Sequence, residues 1–195
     1  LTAADYAEAL AGLTKAYDVQ IIVTLDDGDV EVAKKLKAHC IHMAGKGESE
    51  CCGYWGAGAT PPSLSDAREY SNALNTRHLA MAAQGAIALD HNGTQIILSP
   101  MWVALILAGI QAGTPVATPL TRKRLDISTT LEHNSWTPAN DLESAIDSGF
   151  ILINKDRIGN YVERSVTTWM EDDNPIFSEV SANESVNTCV RDLRN

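Results

Sequence analysis

Two histidines and three cysteines in the first third of the chain are the residue types best suited to bind a metal ion. His39, Cys40 and His42 lie in one predicted helix, and Cys51 and Cys52 form an adjacent pair further along. Side chains three apart on a helix share a face, and imidazole and thiolate are zinc ligands, but this spacing matches no zinc finger and contains no Cys-x-x-Cys pair. We therefore interpret the histidines as exposed residues near a helix C-terminus, where the helix dipole favours positive charge, and expect no metal or other cofactor.

The remaining reactive residues form no recognisable enzyme motif. The glycines of 45–47 and 53–58 fit neither a phosphate-binding loop nor a dinucleotide fingerprint. Ser99 is better explained as a helix cap than as a nucleophile, since no Gly-x-Ser-x-Gly elbow surrounds it. Asp90 and His91 fall at a predicted hairpin tip, where a catalytic geometry would be poorly held. The sequence therefore favours a protein that is not an enzyme.

The composition is that of an ordinary globular chain with an acidic balance. Of its 195 residues, 45% are hydrophobic and 21% are charged, and the net charge is -10 at pH 7. Phosphate binding requires a basic surface, so this charge opposes a nucleic-acid partner. The best apolar candidate, 101–110, is shorter than the roughly 20 residues of a membrane span. We expect neither a nucleic-acid partner nor a membrane span.

The four cysteines, which include Cys189 near the end of the chain, do not have the spacing of a disulfide framework. We predict free, buried thiols in a protein made in a reducing cytoplasm. Disulfides between subunits of an extracellular particle are the alternative. The chain opens on Leu1 inside a helix-like pattern, so we expect it to be a piece of a longer polypeptide.

Hydrophobic periodicity predicts an α/β domain with a mostly parallel sheet over residues 1–120. Thr2 and Asp5 resemble a capping box, and 19–24 is a continuous apolar run typical of a buried parallel strand. Asn92 and Gly93 indicate a hairpin turn. Helix 101–112 is apolar on nearly every side, so we expect it deep in a core. Further helices are predicted over 30–43 and up to residue 74, and further strands over 51–55, 79–83, 86–89 and 95–98.

A change of pattern near residue 120 predicts a small α+β domain over residues 121–195. The boundary region, 114–126, contains two prolines and a dense basic run. Beyond it we predict strands over 127–131, 150–153 and 161–169, a helix begun by Thr137 and Pro138, and a long final helix. The acidic turn 171–175 separates the last strand from the last helix.

The last part of the chain resembles the C-terminal part of phage contractile tail sheath proteins. The resembling stretches are 164–169 (RSVTTW), 173–175 (DNP) with Phe177, 179–181 (EVS) and 190–194 (VRDLR). Earlier pieces in the same order, such as Ser99 and Pro100 followed by Ala104, Ala108 and Gly109, are similar to the same family. The resemblance implies a core of subtilisin-like topology without its catalytic groups, a C-terminal domain, and terminal arms that lie outside this chain.

The resemblance also implies a function. The protein would be a structural subunit of a contractile phage tail sheath, polymerised as stacked six-fold rings around a tail tube and contracting to drive that tube through the host envelope. Its partners would be other sheath subunits, the tail tube protein, and the baseplate and tail terminator proteins. It would be made in the host bacterial cytoplasm and reside in the tail of the virion.

Two surfaces are predicted to form the interface between subunits. Strand 161–169 is a candidate edge to which a neighbour adds a strand, and the basic run is a candidate partner for acidic turns such as 26–29 and 171–173. The alternatives are an internal strand and solvated loops. The residues of these predicted surfaces are Tyr161, Glu163, Arg164, Val166, Thr168, Arg122, Lys123, Arg124, Asp172 and Asp173.

Three other functions stay open at this point. A sheath from a related phage-derived contractile injection device is the nearest. A small α/β hydrolase or nucleotide-binding enzyme would need a convergent polar pocket at the ends of the strands. A monomeric domain that recognises a partner would differ from a sheath subunit in that it does not self-assemble.

Overall fold

The computed structural model describes residues 1–16, 19–46, 49–131, 141–172 and 174–194. Its centre is a parallel sheet of three strands, β1 (Ile21–Val23), β2 (Cys52–Gly56) and β3 (Leu79–Ala82), in the order β1–β2–β3. Every residue of β2 and β3 is buried, as expected for strands that are covered on both faces. The predicted α/β class with a parallel sheet is confirmed.

Four helices surround this sheet: α1 (Ala3–Leu13), α2 (Val30–Gly45), α3 (Leu64–Leu74) and α4 (Pro100–Ala112). The predicted capping box starts α1, because the Thr2 amide donates to the Asp5 carboxylate (2.7 Å) and the Asp5 amide donates to the Thr2 hydroxyl (3.4 Å). Helix α4 crosses β2 at Gly56, where an added Cβ would lie 2.2 Å from the Met101 amide nitrogen. Only glycine therefore allows this close approach.

Six further strands of the described chain form two antiparallel sheets. They are β4 (Ala86–Leu89), β5 (Gln95–Leu98), β6 (Arg124–Leu125), β7 (Thr129–Thr130), β8 (Leu152–Lys155) and β9 (Asn160–Arg164). One sheet has the order β5–β4–β7 and the other has the order β6–β9–β8. A parallel bridge between Ala82 and Ile151 joins the approach to β8 to the edge of the central sheet. The sheet β6–β9–β8 is thereby joined to the buried central sheet.

Three further helices complete the described chain: α5 (Leu142–Ile146), α6 (Pro175–Ser178) and α7 (Val180–Arg194). Helix α7 docks largely through polar groups. The Asn183 side chain donates to the carbonyl of Arg77 (2.8 Å), and Arg191 donates to the carbonyl of Glu50 (2.6 Å). Arg194 donates to the buried carboxylate of the same glutamate (2.5 Å).

Two hydrophobic clusters fill the opposite faces of the central sheet. Neighbouring residues of β2 point to opposite sides, so Trp55 belongs to one cluster and Tyr54 to the other. Phe150 completes the first cluster and Val162 the second. Both cores therefore contain residues from either side of residue 120, and the predicted division into domains 1–120 and 121–195 stays a prediction.

Two of the predicted strands are shorter in the structure. Strand 127–131 is reduced to the two residues of β7. Strand 161–169 is wrong in length, because β9 ends at Arg164 and the chain then leaves β8. The Thr167 amide instead donates to the carbonyl of Ser178 (2.8 Å), just before α7. The helix predicted to begin at Thr137 and Pro138 lies outside the described residues.

Candidate assembly interface

The predicted basic run and the predicted strand lie next to each other, because β6 pairs with β9. The guanidinium groups of Arg122 and Arg124 lie 4.7 Å and 5.3 Å from the centre of the Tyr161 ring. Arg124 also donates two hydrogen bonds of 2.7 Å to the two carboxylate oxygens of Asp156. These hydrogen bonds hold the pKa of Asp156 well below its usual range. The basic run is therefore largely engaged within its own subunit.

The charged residues of β9 are also paired within the chain. The Tyr161 hydroxyl donates to Glu163 (2.5 Å), and Arg122 approaches the same carboxylate at 3.5 Å. Arg164 donates to Asp147 (3.1 Å) and lies 4.0 Å from Glu179. Burial raises the pKa of Glu179, which the positive charge of Arg164 partly offsets. These pairs orient the strand's charges without any second molecule.

The prediction that strand 161–169 is an open edge is wrong, because β9 is the central strand of its sheet. It pairs with β6 on one side and with β8 on the other. Val166 and Thr168, from the same predicted strand, are buried. The Thr168 hydroxyl donates to the carbonyl of Thr76 (3.1 Å), and its amide donates to the carbonyl of Leu79 (2.8 Å). Whether the exposed residues of this region contact a neighbour stays a prediction.

The predicted acidic partners are tied to their own turns. Asp172 accepts hydrogen bonds from the Trp169 indole (2.9 Å) and from the amide of Asn174 (3.0 Å). Asp173 lies outside the described residues. In the other acidic run, the carboxylate of Asp26 is buried and accepts from the amide of Asp29 (2.8 Å). These carboxylates shape local turns before they contribute to any interface.

The prediction that α4 lies deep in a core is wrong for one side of the helix. One side of α4 packs against the central sheet, but Trp102 is 45% exposed and Leu105 is 37% exposed. Gly109 and Ala112 continue the exposed side one and two turns further on. Hydrophobicity alone could not distinguish burial by the same chain from an apolar stripe left in water. The α4 stripe, comprising Trp102, Leu105, Gly109 and Ala112, is the side of this helix that stays exposed to solvent in the described structure.

The hairpin β4–β5 is the second region that sequence reasoning missed as a surface. Leu89 and Ile97 lie on its outer face and are 58% and 75% exposed, and Ile96 on the other face is 40% exposed. In the described chain, β5 has a strand partner on one side only. The absence of charge from 95–98 is a signal that could have identified this edge, since natural edge strands are commonly protected by charge.

The described residues contain no group of three or more His, Cys, Asp or Glu side chains arranged to hold a metal ion. His39 is buried rather than exposed, and burial lowers its pKa. Cys40, Cys51 and Cys52 are free and buried as predicted, whereas Cys189 is free and exposed. The prediction that both helix histidines are exposed is therefore wrong for one of them, because His39 lies on the buried side of α2.

An open cavity of about 270 Å³ lies beside Arg164 and Trp169. Asp147, Asp172 and Ser178 also line it, but none of the described residues that line it is a histidine, lysine or cysteine. A hydroxyl nucleophile needs an adjacent base to become reactive. The cavity therefore offers no nucleophile–histidine pair of the kind that the hydrolase alternative requires.

Comparison with known proteins identifies the family. The family described as the phage tail sheath protein central domain matches residues 1–168. The chain belongs to the phage tail sheath protein family. The matched region crosses the predicted domain boundary at residue 120. No curated protein matches the chain.

Solved structures of sheath proteins share this fold at low sequence identity. The sheath tail protein of Desulfitobacterium hafniense superposes with a TM-score of 0.76 at 17% identity, over 100% of this chain and 42% of its own. That of Listeria innocua gives 0.74 at 16% identity, over 98% and 40%. The sheath of the extracellular contractile injection system PVC, in its contracted state, gives 0.64 at 16% identity, over 95% and 50%. The chain thus spans about two fifths to half of the length of these sheath proteins.

The fold of this sheath family member is that of structural proteins. A further structural match is the anti-feeding prophage helical sheath in its contracted state, with a TM-score of 0.62 at 12% identity, over 97% of this chain and 49% of that chain.

In the described part of the chain, no helix combines the length and apolar character needed to cross a membrane.

Proposed function

We propose that this chain is part of a structural subunit of a contractile phage tail sheath and catalyses no reaction. The observation that carries the proposal is the family match over residues 1–168, joined to a fold shared with sheath proteins along nearly the whole chain. In this proposal the subunits polymerise as stacked six-fold rings around a tail tube. Contraction of the rings then drives the tube through the host envelope.

The proposed partners are other copies of the subunit, the tail tube protein, and the baseplate and tail terminator proteins, with the assembled protein located in the tail of the virion. A sheath of a related injection system is the second candidate. The likeness to the PVC and anti-feeding prophage sheaths favours it. Both candidates require the same behaviour of the subunit, which is self-assembly into a tube that can shorten.

The physical properties of the surface support self-assembly. The α4 stripe exposes a tryptophan and a leucine that a monomer would normally bury, and burial of apolar surface is the main driving force of association. An acidic chain with a net charge of -10 stays soluble before it assembles. Assembly would then depend on apolar contacts that outweigh the repulsion between like-charged copies.

We also propose that the exposed charged residues around β9 set the alignment of neighbouring subunits. Arg122, Lys123 and Arg124 would face a neighbour's acidic turn that includes Asp172, with Glu163 and Arg164 beside them. Exposed ion pairs contribute little one by one, but a lattice repeats each pair in every subunit. Their role is therefore alignment rather than the main part of the binding energy.

Negative-stain electron microscopy of the full-length parent polypeptide, expressed alone, tests the proposed function. Tubes or stacked six-fold rings are the expected result. A matched variant, Trp102→Lys, places a charge in the α4 stripe and should leave folded, dispersed subunits. Dispersed monomers of the unchanged polypeptide, at concentrations where related sheaths would polymerise, would contradict the proposal.

A further inference from the structure

The buried thiols of Cys40 and Cys51 lie on the same face of the central sheet. Cys51 immediately precedes β2, and successive residues of a strand point to opposite faces. Cys51 belongs to the hydrophobic cluster that contains Cys40 of α2, whereas Cys52 belongs to the cluster on the other face. Cys40 and Cys51 are 0% and 1% exposed. The fold therefore places one of two adjacent cysteines, and not the other, beside Cys40.

A hydrogen bond joins the two thiols, with Cys40 as donor and Cys51 as acceptor. This bond raises the pKa of Cys40, and burial raises it further. The same bond lowers the pKa of Cys51, because it stabilises the thiolate; burial opposes this effect, and the positive charge of Arg191 supports it. The thiolate, not the thiol, is the nucleophilic form of cysteine. The pair therefore has one sulfur suited to attack an oxidant and a second sulfur in contact with it.

Only a small movement separates this contact from a covalent bond. Two sulfurs in hydrogen-bond contact must approach by roughly 2 Å to reach the length of a disulfide bond. The chain between the two cysteines already folds back on itself, since the amide of Ser49 donates to the carbonyl of Met43 (3.0 Å). A local adjustment at the end of α2 is therefore enough to close the bond, and the central sheet need not change.

The end of α7 is tied to the residue that precedes Cys51. Arg191 donates to the carbonyl of Glu50, and Arg194 donates to the carboxylate of Glu50. Residues 192–194 are themselves exposed. Helix ends fray, and such a local opening costs less free energy than global unfolding. Opening of this last turn uncovers the neighbour of Cys51 and admits an oxidant as small as hydrogen peroxide while the core stays folded.

We infer that Cys40 and Cys51 form a reversible disulfide within one subunit when the protein meets a peroxide. The Cys51 thiolate attacks one peroxide oxygen and becomes a sulfenic acid, and the hydroxide that leaves takes up a proton to form water. The Cys40 sulfur then attacks the Cys51 sulfur, and the S–O bond breaks as a second water forms with the Cys40 proton. The two thiols lose two electrons, which reduce one peroxide to two waters.

This inference goes beyond the proposed function and does not depend on it. A reducing cytoplasm keeps the pair as thiols, and a particle released from the cell meets oxidising conditions. The disulfide would then join the end of α2 to the start of β2 after the protein has folded.

Peptide mapping after treatment with hydrogen peroxide tests the inference on the full-length polypeptide. Trypsin releases Cys40 on peptide 38–46 and both Cys51 and Cys52 on peptide 47–68. The variant Cys52→Ala should give these two peptides joined by a disulfide that a reducing agent cleaves, and Cys51→Ala should lose the joined pair. Circular dichroism checks that both variants stay folded. In a mixture of unlabelled and isotope-labelled protein, a link within one molecule joins only peptides that carry the same label.

Denaturation supplies the internal control. Cys51 and Cys52 follow Cys40 by eleven and twelve residues, so a chain unfolded in urea should link Cys40 to either one with similar yield. Selection of Cys51 in the folded protein that disappears in urea would support the inference.

Three results would overturn the inference and leave the proposed function intact. They are a link from Cys40 to Cys52 in the folded protein, joined peptides that carry different labels, and a folded Cys52→Ala variant in which no joined pair forms. If Cys51→Ala unfolds, Cys52→Ala decides alone, because Cys51 is then the only cysteine of peptide 47–68.

Discussion

The sheet β6–β9–β8 and the hairpin β4–β5 satisfy their polar groups in opposite ways. In β9 the backbone has a partner strand on each side, and the charged side chains find partners in the same subunit. Strand β5 has one partner strand, carries no charge and leaves two isoleucines in contact with solvent. The sheet β6–β9–β8 is therefore complete within one chain, because its central strand and its charged side chains have partners there. The hairpin β4–β5 is incomplete, because one edge of β5 has no partner strand in the described chain.

This difference reverses the usual expectation about which residues mark an interface. Charged runs attract attention in a sequence, yet Arg124 already binds Asp156 through two hydrogen bonds, and Asp172 accepts bonds from its own turn. An uncharged hairpin attracts little attention, yet β5 has an open strand edge in the described chain and exposed isoleucines that a neighbour could cover. A candidate interface is therefore better identified by groups that have no partner within the subunit than by the number of charges on a surface.

The largest expected effect comes from the same substitution made in each region. Ile153 in β8 is buried among core residues, whereas Ile97 in β5 is 75% exposed. Ile153→Ala leaves a cavity and should lower the free energy of unfolding by about 2–5 kcal/mol. Ile97→Ala should change it by less than about 0.5 kcal/mol, because solvent already surrounds that side chain.

Urea unfolding of the two variants beside the unchanged chain measures this difference. A common slope with denaturant would show that the midpoint shifts report stability alone. Equal losses in the two variants would show that Ile97 is packed within the folded chain. The comparison between a complete region and an incomplete one would then fail.

The sequence predicted elements whose cause is local. The capping box of Thr2 and Asp5 and the hairpin turn at Asn92 and Gly93 depend on residues a few positions apart, and both are confirmed. The order of strands depends on distant residues. Arg124 meets Asp156 only because β6 lies beside β9, and no local signal indicates that pairing.

The candidate sites were predicted less well for a related reason. Val166 and Thr168 alternate with polar residues as an edge strand would, but burial by β3 and by the segment before α7 is a tertiary event. The α4 sequence is apolar around its whole circumference. This pattern indicates that the helix must be covered, but it does not show whether the same chain or another one covers it. Hydrophobic periodicity indicates which residues favour burial, and only the fold shows which of them remain exposed to solvent.

Acidification should destabilise the folded chain through His78, which lies next to the central sheet. His78 is buried just before β3, and desolvation lowers its pKa from 6.5 to about 4. The unfolded chain takes up a proton near pH 6.5, whereas the folded chain does not until about pH 4. The stability contributed by neutral His78 is therefore present above pH 6.5 and is lost as the pH falls towards 4, approaching about 3 kcal/mol.

The variant His78→Gln isolates this contribution, since glutamine is polar and does not titrate. The difference in unfolding free energy between the two chains should change steadily between pH 6.5 and about 4 and should be constant above that range. Urea unfolding at a series of pH values measures it. A difference that is the same at every pH would show that His78 is readily protonated in the folded chain.

The smallest expected effect comes from the basic run. Lys123→Gln and Arg124→Gln each remove one positive charge, but Arg124 has an ion pair with Asp156 and Lys123 has none among the described residues. Both sites are near the surface, so neither variant should shift the unfolding midpoint beyond experimental scatter. The contacts proposed with a neighbour's acidic turn align the subunits and add little binding energy, so both full-length variants should also assemble within about twofold of the parent concentration. Light scattering across a protein titration measures this. A large loss of assembly in Lys123→Gln alone would show instead that this lysine supplies a main part of the binding energy between subunits, which would contradict the alignment role proposed for it.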